Sequence, residues 1–180
     1  MTQERSGTAG RAADLRRAFD QSFAESPLEA AADPLNLLAL RAGGEPYAVR
    51  LDEISGLVPS RTTVDLPSAI PGFLGVARLR HELVPVYRLR SLLGSATSGE
   101  APRWLIIARV VPPVAFAFEQ FEGHRRVPPS ALLPSGSDAL TNHARATVRL
   151  DDGLRAVLSI GALIETIEHH LRLAGPTKEQ

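Results

Sequence analysis

The chain has 180 residues, 44% hydrophobic and 22% charged, a balance that suits one globular domain, or two small subdomains sharing a core, and excludes wholesale disorder. Twenty basic and twenty acidic residues cancel, so no global field draws the chain to nucleic acid or anionic lipid. The absence of cysteine excludes a disulfide framework and thiolate chemistry, and with neither a bilayer-length apolar run nor a hydrophobic leader after Met1 the expectation is a cytoplasmic protein.

Residues 1–33 read as an extension. Residues 1–10 are polar, with the composition of disorder, whereas residues 12–25 are rich in alanine and arginine and space Leu15, Phe19 and Phe23 four apart. On a helix these three form one apolar stripe, with Asp14 as its N-cap and Ser26-Pro27 as its stop. The stripe either docks on the protein's own body or hooks another protein, and both readings stand. A second short helical stretch over 28–32 ends before Asp33-Pro34.

From residue 35 onward, short apolar runs separated by turn residues predict a β-rich body. Residues 35–40 form the first run and 42–45 a turn; over 47–51 the alternation puts Tyr47, Val49 and Leu51 on one face. Residues 52–57 fit a short helix or a strand, anchored by Ile54 and Leu57. Residues 59–71 are loop-like with a strand expected at 62–66. Residues 75–89 then read as a hairpin. Ala77 and Leu79 alternate with Arg78 and Arg80, His81-Glu82 turns, and 83–87 returns, with Pro85 favouring an edge strand or a bulge. Leu89, Leu92 and Leu93 switch to helical spacing before the Gly94 stop.

Residues 95–102 are small and polar and fit a joint between halves. Residues 104–111 and 114–118 read as strands about Pro112-Pro113, the second buried on both faces. Residues 121–127 continue as a strand with a bulge near Gly123. Residues 128–142 are mostly loop, with Leu132 and Leu133 expected in the core. Residues 146–150 and 154–160 flank Asp151-Asp152-Gly153, a strong hairpin signal. Residues 161–173 close the body as a helix, and Gly175-Pro176 opens a frayed tail.

Pro67, Gly75-Val76, Leu79-Arg80, Val84-Pro85-Val86, Leu89-Arg90 and Leu93-Gly94 resemble, in order, the CheW family pattern. That pattern is a proline-bearing loop, Gly-Val, Asn-Leu-Arg-Gly, Val-Pro-Val-Ile-Asp-Leu-Arg and Leu-Gly. Residues 47–51, 104–108, 114–121 with Glu119, and 154–163 resemble further family segments, so the similarity runs from about residue 35 to residue 164. It implies a mainly β fold of two intertwined SH3-like five-stranded barrels with short helices over 34–174, a subdomain joint near 95–102, the extension 1–33 and a tail 175–180.

The resemblance further implies a non-catalytic adaptor in chemotaxis-like signalling that needs no cofactor. Its partners would be the regulatory domain of a CheA-type histidine kinase, a chemoreceptor cytoplasmic tip and other CheW-like domains. It would be recruited from the cytoplasm to receptor arrays without inserting in the membrane. Arg80 matches the arginine of Asn-Leu-Arg-Gly at the family's partner surface, and Ile54 falls at a hydrophobic partner-contact position. Arg78 replaces the usual Asn, His81 the usual Gly and Arg88 the usual Asp, while Gly56 stands where an acid is common. These departures motivate an alternative, a divergent accessory that modulates or caps an array or serves another pathway.

Read without the resemblance, Arg78 and Arg80 fit either a two-pronged grip on partner carboxylates or a solvated strand face, the latter favoured. Phe73 and Leu74, in a proline-bounded loop, either cap the core or anchor an interface. His81, His124, His143, His169 and His170 lack ligand spacing, no nucleophile elbow or phosphate loop occurs, and a small metal-dependent hydrolase is the disfavoured third reading.

Overall fold

The chain divides into two units, Met1–Asp33 and Pro34–Gln180. The computed structural model describes residues 33–60, 63–79, 81–95, 100–134 and 143–174. The expected stripe of Leu15, Phe19 and Phe23, the short helix over 28–32 and the tail therefore lie outside the described residues.

Strands β1 (Leu35–Ala42) and β2 (Glu45–Arg50) form a hairpin closed by Gly43-Gly44, whose φ values of 62° and 88° suit a two-residue turn of left-handed backbone. A 3-10 turn, Leu51–Glu53, precedes β3 (Ile54–Pro59), so the stretch expected as helix or strand is one after the other. Then come β4 (Phe73–Leu79), β5 (Glu82–Arg88) and the one-turn helix α1 (Leu89–Leu92), with Gly94 at φ 75° just beyond it. The second half holds β6 (Trp104–Ala108), β7 (Ala115–Phe118), β8 (Gln120–Val127), β9 (Leu132–Pro134), β10 (Ala144–Leu150), β11 (Gly153–Leu158) and helix α2 (Ile160–Ala174).

One sheet runs β8-β1-β2-β11-β10-β9 and the other β3-β6-β7-β5-β4. The count differs from the expected five and five because residues 132–134, expected as loop, pair with β10. The two orders follow the same plan. Each half places its first hairpin, β1–β2 or β6–β7, in one sheet and its later strands in the other, and the halves meet in the parallel pairs β2–β11 and β5–β7. The chain thus changes sheet after Arg50 and after Phe118. The segment 95–102 lies between β5 and β6 of a single sheet, at the boundary of the two repeats. Even the irregularities repeat. The β1–β8 ladder skips Glu122 and the β3–β6 ladder skips Ser55, and each bulge is followed by a glycine, Gly123 or Gly56.

This plan explains the burial pattern. Strand β7 is buried on both faces: Phe116 and Phe118 join a core shared by the sheets and α2, while Ala115 and Ala117 fill the second sheet's own cluster with Ala77, Val84, Val86 and Leu105. In β1, Leu38 and Leu40 enter the shared core and Leu37 a third cluster with Ala48, Val127, Val148 and Val157. Tyr47, Val49 and Leu51 all reach the shared core, as their alternation required. Helix α2 closes that core with Ile160, Leu163 and Ile167. Each such fully buried large side chain is worth about 1.5–3 kcal/mol.

Two expectations are corrected. Pro85 sits in an interior strand, because β5 lies between β7 and β4. It is tolerated there because its partner Val76 spends its amide and carbonyl on Val64, and the β5–β7 ladder begins only at Val86. Leu133, expected in the core beside Leu132, is 48% exposed; only Leu132 packs against the third cluster.

Candidate functional site

In the β4–β5 hairpin, Arg78 lies opposite Leu83, Val76 opposite Pro85 and Ala77 opposite Val84. Ala77, Val84 and Val86 turn into the core, so alternation sends Val76, Arg78, Leu83 and Pro85 to the other face. There Leu83 is 70% exposed, and Arg78 is exposed with no ion pair among the described residues. The segment carrying Val64 lies along the β4 edge, held by Val64 N to Val76 O at 2.8 Å and Val76 N to Val64 O at 3.0 Å. Gly75 makes that approach feasible: at φ 112°, a Cβ there would stand 2.0 Å from the Val64 carbonyl oxygen. Val64, 62% exposed, extends the row of Val76 and Pro85 beside the Arg78–Leu83 pair.

The other sheet repeats this surface. In β10–β11, Arg149 lies opposite Leu154 and Thr147 opposite Ala156, while Leu133 of β9 pairs with Thr147. Leu154 is 51% exposed, and Arg149 is exposed without an ion pair among the described residues. Leu133-Thr147-Ala156 beside Arg149-Leu154 is thus the counterpart of Val64-Val76-Pro85 beside Arg78-Leu83.

Behind the two surfaces the chemistry differs. Val84 fills the first hairpin's core position, but its counterpart Arg155 is a guanidinium only 2% exposed. Arg155 is ion-paired with Glu122 and Asp152, and Arg41 Nε donates to Glu122 at 2.6 Å. Burial pushes the Glu122 carboxyl up, but hydrogen bonds from Arg41 and Arg155 outweigh it and hold the group below its ordinary value. The hydrogen bond from Arg155 likewise lowers Asp152. A second buried pair ties the sheets together. Arg90 Nη1 lies 3.4 Å from Glu119 Oε1, without hydrogen-bond geometry, while Gly43 N donates to Glu119 Oε2 at 3.0 Å.

A family model of the CheW-like domain matches residues 36–168. The chain belongs to the CheW-like domain family. A solved CheW-like structure, the scaffolding protein TtCheW from Thermoanaerobacter tengcongensis, is similar in fold, with a TM-score of 0.66 at 15% identity, covering 73% of this chain and 93% of that one. No curated protein matches the chain in sequence.

Within this CheW-like domain the expected site residues are dispersed. Arg80 lies outside the described residues, while Arg78 and His81 are exposed at the β4–β5 end. Ile54 is corrected: it is 4% exposed in the shared core, and its carbonyl accepts from Arg109, so it is a packing residue. Phe73 caps the same core, its ring centroid 5.2 Å from that of Tyr87. Arg88 precedes α1 and makes no side-chain cap. His124 meets Asn36 at 3.1 Å and His143 meets Thr166 at 2.8 Å. No cluster of three metal-ligating side chains occurs, and no helix is long and apolar enough to cross a membrane, among the described residues. Leu83, Leu154, Arg149, Val64 and Leu133 escaped sequence reasoning, although the spacing Arg-Leu-x-x-x-Leu at Arg78 and again at Arg149 signals the repeat.

Proposed function

We propose that this CheW-like domain is a non-catalytic adaptor joining a chemoreceptor cytoplasmic tip to the regulatory domain of a CheA-type histidine kinase. A connector needs two docking surfaces, and the observation that supports the reading is one exposed surface displayed twice, Arg78–Leu83 on one sheet and Arg149–Leu154 on the other. An apolar row flanked by a guanidinium suits a partner offering apolar side chains and carboxylates. Arg80 enters this reading through its match to the family arginine alone.

Titration calorimetry of the chain against a kinase regulatory domain and a receptor cytoplasmic fragment tests this. Binding to both is expected, with Arg78→Ala or Arg80→Ala weakening one of them about thirtyfold, the scale of an interface hot spot. Binding to neither defeats the reading. One observation favours the accessory alternative: the uncapped α1 after Arg88. Under that alternative, Arg88→Asp with Gly56→Glu raises kinase coupling in a reconstituted assay. Gly56 has room, since a Cβ would meet Ile107 only at 3.5 Å.

A further inference from the structure

Strand β4 is the last strand of its sheet, and its outer edge is closed by a strap, residues 63–72, instead of a further strand. The strap is held at its ends. Ser60 N donates to Arg103 O at 2.7 Å just before it, while at its far end Ile70 packs against the shared core and Gly72 O accepts from Arg88 N at 2.7 Å. Between these anchors residues 64–69 are all exposed, and the antiparallel bridge of Val64 with Val76 is the one ladder position, among the described residues, that joins strap to edge. The counterpart β9 pairs with β10 at three positions and packs Leu132 against the third cluster. Exposed backbone hydrogen bonds without buried side chains mark a segment that opens before the sheet around it does.

The edge beneath the strap is built to receive a strand. Val76 lies opposite Pro85, which has no amide, and turns both its N–H and its C=O outward to Val64. Gly75 lacks the Cβ that would stand 2.0 Å from the Val64 carbonyl oxygen, so it leaves room for any strand laid in the same register. In that register, the residue two places before the one that bridges Val76 comes opposite Arg78, which is exposed with no ion pair among the described residues. A carboxylate there would meet the guanidinium across the strands; this chain's own sequence has Thr62 at that distance from Val64. We propose that the strap is a displaceable cover, and that the β4 edge takes an extended segment of another protein with an apolar residue to bridge Val76 and an acidic residue two places before it. The adaptor reading shares only the Arg78 flank. A chain that ignores kinase and receptor leaves this proposal standing, and the reverse also holds.

The test uses the full chain and a synthetic peptide of about six residues, strand length, with glutamate two places before valine. Amide hydrogen exchange followed by NMR should show that the bound peptide strips protection from Val64 while Val76 keeps it. Val64→Pro, which removes the amide donating to Val76 O, should tighten peptide binding about two- to tenfold, the worth of one hydrogen bond. Gly75→Ala should abolish binding, because a methyl group bars guest and strap alike. Arg78→Glu should weaken it, and a peptide with lysine in place of glutamate should recover it. Circular dichroism confirms that each variant folds. A peptide that binds neither the unaltered chain nor Val64→Pro overturns the proposal. So does binding that leaves Val64 as protected as before, which would place the peptide elsewhere. Dimers of the Val64→Pro chain in sedimentation velocity overturn it as well, since a second copy would then fill the edge.

Discussion

The Arg155 guanidinium is paired with the Glu122 carboxylate, which projects from the one residue of β8 that the β1–β8 ladder skips. The counterparts in the other half are Val84 and Ser55, so the protein contains both a charged and an uncharged solution of the same corner.

Arg155→Ala should therefore cost about 3–5 kcal/mol, since it leaves Glu122 facing a cavity with only Arg41 as partner. Combining Arg155→Val with Glu122→Ser, which copies the first half, should recover much of that loss. Urea denaturation of both variants checks it. A double variant as unstable as the single one would show that the corner cannot exchange its charges for packing.

Gly75→Ala should destabilise the chain by about 1–3 kcal/mol and detach the Val64 segment, because φ 112° and the Val64 carbonyl leave no place for a methyl group. Hydrogen exchange checks this at two amides, Val64 and Val76, which should lose protection before the rest of β4. Unchanged protection at both would contradict the account.

Glu53 caps the helix that closes the core. Its Oε2 accepts from Ile160 N at 2.7 Å, tying the crossover between sheets to the first turn of α2. Glu53→Ala should cost about 0.5–2 kcal/mol, the usual value of an N-terminal cap, and Glu53→Gln, which keeps an acceptor, should cost less. Thermal unfolding of the two variants gives the comparison.

His143 sets a pH dependence. Thr166 Oγ1 donates to Ala162 O, so its oxygen accepts from His143 Nε2, and His143 Nδ1 is left buried without a partner. Burial holds the imidazole below its ordinary value of 6.5. The unfolded chain then binds the proton more readily, so stability is full above about pH 6.5 and falls as pH drops through the interval down to the folded value. The ordinary carboxylate range of Glu122 and Asp152 lies below the pH 6.5 at which the loss from His143 sets in, their stabilisation fading only as pH falls through their lowered folded values. The urea midpoint should fall between pH 7.5 and 5.5 in the native chain and much less in His143→Gln.

The sequence showed its strands plainly where alternation met turn chemistry. Gly43-Gly44, Asp151-Asp152-Gly153, the bulge at Gly123 and the burial of the wholly apolar β7 on both faces are all local consequences of residue type. The exchange of hairpins between sheets was not readable from local signals, because nothing in β2 reveals that its parallel neighbour is β11. The same holds for Ile54. An apolar residue at a turn looks alike whether it faces solvent or a second sheet, and only the crossover decides. Leu83 and Leu154 were hidden for a further reason: each belongs to a mostly apolar run in which nothing local marks the buried face, and each lies on the face opposite the core.

The hairpins exchanged between the two sheets carry one further implication. If the backbone were cut in the 95–102 link, neither fragment could finish a sheet by itself, yet each would hold the strands the other lacks. Two such pieces, expressed separately, should find one another and rebuild the fold, as interlocked hands re-form a grip that neither hand makes alone.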